Sequence, residues 1–193
     1  MLETGIPRRA FLFMPFAFAG LVAVSYHKEK PLPDASTGGS GDEVLLDLFS
    51  DAGQPQGSAT VRKVVKTEVE WRKQLAGEEF AVTRRGGTEF AYSGRYWKTT
   101  AEHGLYRCVC CGNALFRSEE KFDSGTGWPS FWAPISERNV RNRTDVAFFM
   151  ERTEVLCAKC DAHLGHVFQD GPPPTGLRYC MNSAALRFLE RPV

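Results

Sequence analysis

The sequence predicts a mainly β domain across residues 60–190. Turn residues recur every few positions, and the apolar and aromatic runs between them are short. Few stretches carry a helical period. Two C-x-x-C pairs, Cys108/Cys111 and Cys157/Cys160, have 45 residues between them, so the chain must return on itself to unite them.

The first segment is read as targeting rather than fold. Arg8-Arg9 precede an apolar, uncharged run from Phe11 to Val24, and Ala23-Val24-Ser25 offers small residues for cleavage. This run is short of the roughly 20 residues that span a bilayer as a helix. Residues 1–25 are therefore expected to be a twin-arginine-like export signal or a retained membrane anchor, with a buried apolar helix as the alternative. Export of the folded protein would place it in the bacterial cell envelope, periplasmic or anchored on the outer face. Residues 26–63 are expected to be a flexible linker, rich in Pro, Gly, Ser and charge around Lys28–Pro31 and Ser36–Gly41. Within it, Val44–Phe49 is a short apolar patch that could pack onto the domain, and Asp51–Pro55 is a loop.

The domain proper is assigned to residues 64–193. Thr67-Glu68-Val69-Glu70 is a capping box that starts a helix near 68–76, with Trp71 and Leu75 on one face and Gly77 as its C-cap. Strands are expected at Glu79–Thr83, Gly104–Cys108, Asp145–Phe149, Glu154–Leu156 and Leu186–Leu189.

Charge excludes one class of function. With 24 basic and 23 acidic residues the net charge is +1, and without Glu3, Arg8 and Arg9 the balance is 22 to 22. A protein that neutralises nucleic-acid phosphates shows a basic excess instead.

Six cysteines could make three disulfides, but their pairing as C-x-x-C favours one structural Zn²⁺ held by Cys108, Cys111, Cys157 and Cys160. Cys110 is then a spare thiol. Cys180 is left without structural duty, as a candidate nucleophile or redox centre or as an ordinary core cysteine. Arg178 and Asn182 flank it two residues away, on the same face if the segment is a strand. His163 and His166 could meet in one pocket if their segment is a turn or helix. Trp128, Phe131 and Trp132 follow a glycine turn and form either a buried core turn or an apolar slot for a thioether.

Gly87-Thr88-Glu89, Phe122–Gly125, Gly127–Phe131, Arg152–Val155, His163–Phe168, Asp170-Gly171-Pro172 and Arg178–Ser183 together resemble the methionine-R-sulfoxide reductase B family, in order from about residue 64 to 190. The resemblance implies two antiparallel β-sheets (a β-tent-like fold) with one structural zinc and one or two short N-terminal helices. It implies reduction of methionine-R-sulfoxide, mostly in oxidised proteins, by Cys180 through a sulfenic acid. His163, His166 and Asn182 would bind and protonate the sulfoxide oxygen, and Arg178 and Asp170 would tune the site. Trp128 would pack on the substrate methyl, with Phe131 and Phe168 also in substrate binding. A thioredoxin-like protein would be the reductant, and the chain would act as a monomer without nucleic acid, with membrane association through its N-terminus. Thr126 stands where many members carry a resolving cysteine, so either an external thiol or Cys110 would reduce the sulfenic acid. A binding module without chemistry would not need Cys180. A zinc hydrolase would need an open metal position and an H-x-E, which occurs only at His27-Lys28-Glu29 in the linker.

Overall fold

A computed structural model describes residues 43–98, 103–147 and 150–191. The expected signal segment and linker residues 26–42 lie outside this set, as do Phe148 and Phe149 of one expected strand. Among the described residues no helix is long and apolar enough to cross a membrane.

Two antiparallel sheets form the domain. The larger has the order β5-β6-β10-β9-β8-β7, from Lys121–Phe122, Ser130–Phe131, Arg178–Met181, His163–Phe168, Met150–Cys157 and Val140–Ala147. The smaller has the order β11-β3-β4, from Leu186–Glu190, Gly104–Cys108 and Ala114–Arg117. The strands expected at 104–108, 154–156 and 186–189 lie within β3, β8 and β11, and that at 145–149 overlaps β7. An aromatic stack joins the sheets: Phe116 of β4 lies on Phe131 of β6 at 4.4 Å, and Tyr106 of β3 meets Phe131 edge-on at 5.1 Å. Tyr179 of β10 closes on Phe116 at 5.8 Å. Such pairs add specific geometry to the large apolar area that they bury.

Helix α1, Glu68–Gln74, starts at the capping box: Thr67 Oγ1 accepts from the Glu70 amide, and Glu70 Oε2 accepts from the Thr67 amide at 2.8 Å. It buries Trp71 completely. Two expectations change here. Residues 79–83 are not a strand but the middle of helix α2, Gly77–Arg85, and Gly77 opens this helix instead of capping α1. The run Phe80-Ala81-Val82 is too short for period to decide. The ends decide instead: Glu78 and Glu79 in the first turn, Glu79 accepting from the Ala76 amide, Arg84 and Arg85 in the last turn, and Gly86 in the left-handed region at φ 70°.

The linker expectation also ends too late. Residues 43–62 form a hairpin of β1, Glu43–Phe49, and β2, Pro55–Arg62. Leu46 buries itself, and Asn139, fully buried, clasps the backbone of Asp47. Its Oδ1 accepts from the Asp47 amide at 3.0 Å, and its Nδ2 donates to the carbonyls of Asp47 and Ala114 at 2.9 Å each. The Asp47 carboxylate accepts from Ser136, Ser58 and Arg138, which hold it down to about 2. Asn139→Ala would take the side-chain partner from the buried Ala114 carbonyl and from the part-buried Asp47 amide and carbonyl. A loss of about 2–3 kcal/mol in urea unfolding is expected, with hydrogen-exchange protection lost in 43–62. Unchanged protection there would show that the clasp does not hold the hairpin.

Candidate active site

The larger sheet lays one residue from each strand in a single row. The register pairs Phe122 with Ser130, Ser130 with Cys180, Cys180 with His166, His166 with Glu154, and Glu154 with Arg143. Directly paired residues share a face of a sheet, and neighbours along a strand point to opposite faces. The row therefore lies on one face, while Phe131 and Tyr179, one residue away, point into the core. Strand β10 shows the alternation: Arg178 and Cys180 are half-buried, Tyr179 and Met181 buried. Arg178 thus shares a face with Cys180, as its spacing predicts.

His163 and His166 also meet, by a different route from the one expected. They lie on strand β9, where residues three apart should face opposite ways. Between Val155 opposite Gly165 and Leu156 opposite His163, β9 holds one extra residue, Leu164. Such a bulge reverses the alternation, and the two rings lie 5.4 Å apart. Gly165 is required beside it, since a Cβ there would overlap the Cys180 carbonyl oxygen of β10.

Each histidine has its own carboxylate. His163 Nδ1 lies 2.8 Å from Glu154 Oε1, and Arg143 donates to Glu154 Oε2 through Nε at 2.8 Å and a terminal nitrogen at 2.6 Å. Burial alone would raise the Glu154 carboxyl, but the bonds and charges of His163 and Arg143 hold it down to about 2. An ionised carboxylate only accepts, so His163 Nδ1 is the donor. Among the described residues, His163 Nε2 is buried without a partner. His166 Nε2 lies 3.3 Å from Asp145 Oδ2, which also accepts from Arg152 at 3.0 Å. Burial, with the Arg152 charge, lowers the His166 pKa against the pull of Asp145, favouring the neutral ring.

The Cys180 thiol has hydroxyls on its other side. Thr126 Oγ1 lies 4.0 Å from Sγ, and Ser124 links Thr126 to Ser130 through contacts of 2.8 Å each. Burial raises the thiol pKa, partly opposed by the Arg178 charge and the hydroxyls of Thr126 and Ser130. Arg178 is locked in a fork on Asp170, at 2.9 and 2.8 Å, with its guanidinium 4.5 Å above the Phe168 ring. Phe168 also lies 6.5 Å from the His166 ring, on the site face.

One expected site residue stands elsewhere, and another reaches the site off the row. Phe131 is fully buried in the inter-sheet stack, because Ser130 takes the site face. It packs the core and does not line a substrate slot. Asn182 lies beyond the end of β10, so the strand-face argument does not reach it. It is buried, with Oδ1 accepting from the Glu89 amide at 3.0 Å and Nδ2 donating to the Leu164 carbonyl at 3.1 Å. Trp128 is half-buried, and its Nε1 donates to the Glu89 carbonyl at 3.1 Å.

Sequence reasoning assigned no role to Glu154, Arg143, Asp145 or Glu89. For Glu154 a signal was present: an acid beside Val155-Leu156 in a buried strand needs a partner. Its folded carboxyl lies below the ordinary 4.5, so the stability it adds is present above that value and lost as pH falls toward 2. Between pH 6 and pH 2 the native protein should lose about 2 kcal/mol more than Glu154→Gln in urea unfolding. Parallel pH curves would disprove this.

The four knuckle cysteines converge away from this face. Their sulfurs all lie within 4.8 Å of one another, with Cys108 to Cys160 at 3.7 Å and Cys111 to Cys157 at 3.6 Å. Four sulfurs about 2.3 Å from a tetrahedral metal stand about 3.8 Å apart, so the set fits Zn²⁺. Cys110 is outside the set, buried in the core.

The SelR domain family matches residues 75–190. The peptide methionine sulfoxide reductase MsrB of Herminiimonas arsenicoxydans is 59% identical over 130 residues, covering 67% of this chain and 94% of the relative. Its namesake from Synechococcus sp. (strain RCC307) is 57% identical over 128 residues, with 66% and 93% covered. That of Hahella chejuensis is 59% identical over 126 residues, with 65% and 90% covered. With the match extending over both sheets and the row around Cys180, the chain belongs to the methionine-R-sulfoxide reductase B family.

Proposed function

We propose that the chain reduces methionine-R-sulfoxide in oxidised proteins to methionine, with Cys180 as nucleophile. The observation that carries this reading is the row itself: a thiol facing out of the sheet, directly opposite His166, with a second, carboxylate-held histidine on the same face. The Cys180 thiolate attacks the sulfoxide sulfur while a histidine protonates the oxygen. As the imidazolium, His163 suits the donor role, because Glu154 accepts from Nδ1 and leaves the Nε2 proton uncommitted. Trp128 would offer an apolar face for the methyl group, and Asn182 would offer its second Nδ2 hydrogen to the oxygen. Oxygen passes from substrate to Cys180. The substrate sulfur gains two electrons, Cys180 loses two, and the products are methionine and Cys180 sulfenic acid.

Two equivalents of an external thiol, in the cell a thioredoxin-like protein, then return the thiol and release water and a disulfide. Cys110 is a poor resolver, since it is buried among the knuckle cysteines while Cys180 faces away from the core. Mass spectrometry of substrate-oxidised protein kept free of reductant tests this: a Cys110–Cys180 disulfide would exclude direct reduction. The knuckle cysteines hold a structural Zn²⁺ that takes no part in the chemistry. Residues 1–25 would direct the folded protein to the cell envelope, and recovery of all the protein in the cytosol would refute that.

The deciding assay uses separated R and S epimers of a methionine sulfoxide peptide with dithiothreitol. Turnover of the R epimer alone is expected. Turnover of S, or of neither by zinc-loaded folded protein, would overturn the reading.

A further inference from the structure

Glu89 lies between α2 and β3, is only 5% exposed, and engages both ends of its residue. Its Oε1 accepts from the Ser183 amide at 2.7 Å and its Oε2 from the Ala184 amide at 2.9 Å. These are the first amides of the short 3-10 turn that follows Asn182. Its own amide donates to Asn182 Oδ1 at 3.0 Å, and its carbonyl accepts from Trp128 Nε1 at 3.1 Å. The neighbouring chain wraps closely round it: a Cβ on Gly94 would overlap both the Glu89 carboxylate and the Ser183 hydroxyl.

We propose that Glu89 is a positioning residue that aims Asn182 and Trp128 together at the sulfoxide. Its carboxylate makes two charge-assisted bonds, stronger than neutral ones, and these clamp the Glu89 backbone against the Asn182–Ala184 turn. That backbone then sets two side chains. Its N–H demands an oxygen opposite, so the Asn182 carboxamide is fixed with Oδ1 toward Glu89 and Nδ2 toward Leu164. The reverse flip would set donor against donor. The Trp128 ring is fixed through its only polar atom. The inference rests on the reading of Trp128 and Asn182 as substrate-contacting groups, but the clamp is geometric and testable without turnover.

Glu89→Gln keeps the shape and replaces one acceptor oxygen with a donor, which must face an amide. In the zinc-loaded full chain, proton–nitrogen NMR should show the Trp128 indole hydrogen exchanging about 10-fold faster or more. The Asn182 side-chain signals should shift, while the indole of fully buried Trp71 reports an intact core. Asn182→Ala, which leaves the carboxylate bonds in place, should leave Trp128 protected. In turnover of the R epimer, Glu89→Gln should lower kcat/KM about 10- to 100-fold through both constants. In a Trp128→Phe/Asn182→Ala background the same change should cost less than about 3-fold.

Unchanged Trp128 and Asn182 signals, or an equal loss in both backgrounds, would overturn the proposal. Absence of turnover in the native protein, with the NMR changes present, would overturn the sulfoxide reading and leave the clamp standing. If Glu89→Gln fails to retain zinc, Glu89→Asp, whose carboxylate is one methylene short of the amides, is held to the same outcomes.

Discussion

Cys180→Ser is expected to lower kcat/KM for the R epimer by about 10³-fold or more. A serine hydroxyl is a far weaker nucleophile than a thiol near neutral pH. Moreover, oxygen transfer to serine would make a peroxide, so no equivalent of the sulfenic acid forms. The fold should survive, because Cys180 points away from the inter-sheet core and its row neighbours Ser130 and His166 are polar. Its thermal midpoint should stay within about 4 °C of the native protein, the change expected for under 1 kcal/mol. The native enzyme should show a matching pH dependence. Burial holds the free thiol above its ordinary pKa, with Arg178 and the hydroxyls only partly opposing it. The thiolate fraction, and with it kcat/KM, should therefore climb from pH 6 to pH 9, in step with alkylation of Cys180 by iodoacetamide. A serine variant with native turnover would remove Cys180 from the mechanism, and a flat alkylation profile would contradict a raised thiol.

The parts of this site legible in the sequence are those whose chemistry is set by residue type and spacing. Two C-x-x-C pairs can close one tetrahedron, which leaves Cys180 unassigned, and Arg178 lies two residues from it on a strand. Parity decides the rest, and parity depends on where strands and bulges fall. By sequence alone Phe131 fits either an aromatic slot or a buried core turn. Once Ser130 pairs with Cys180, alternation sends Phe131 into the core. His163 and His166 share a face only because Leu164 is an extra residue in β9, and nothing in His-Leu-Gly-His announces a bulge. Residues 79–83 of α2 suit a strand as well as a helix, because three apolar residues carry no resolvable period. Glu89 stands 93 residues from Asn182, and that partnership exists only in the folded chain.

Removing the metal should cost more than any of these substitutions. Cys108 and Cys111 bracket the turn between β3 and β4 in the smaller sheet, while Cys157 and Cys160 bracket the turn between β8 and β9 in the larger. Zinc held by these four would therefore staple the two sheets at one end, while the aromatic stack joins them elsewhere. Structural zinc contributes about 10–16 kcal/mol in small zinc domains, and a whole domain is stable by about 5–15 kcal/mol. Cys157→Ser, which breaks a set with three of its four members almost fully buried, should lower the thermal midpoint by at least about 10 °C. Prolonged chelation should do the same, with zinc addition restoring it. Activity should fall too, through geometry alone: β9 begins at His163, three residues after Cys160, so the knuckle sets where both histidines stand. A four-sulfur site has no open position for substrate, so the loss of turnover should track the loss of near-ultraviolet circular dichroism at every chelator concentration. Zinc-free protein, verified by elemental analysis, that kept its melting point would refute the staple. Loss of turnover in protein that stayed fully folded would instead give the metal a part in the chemistry.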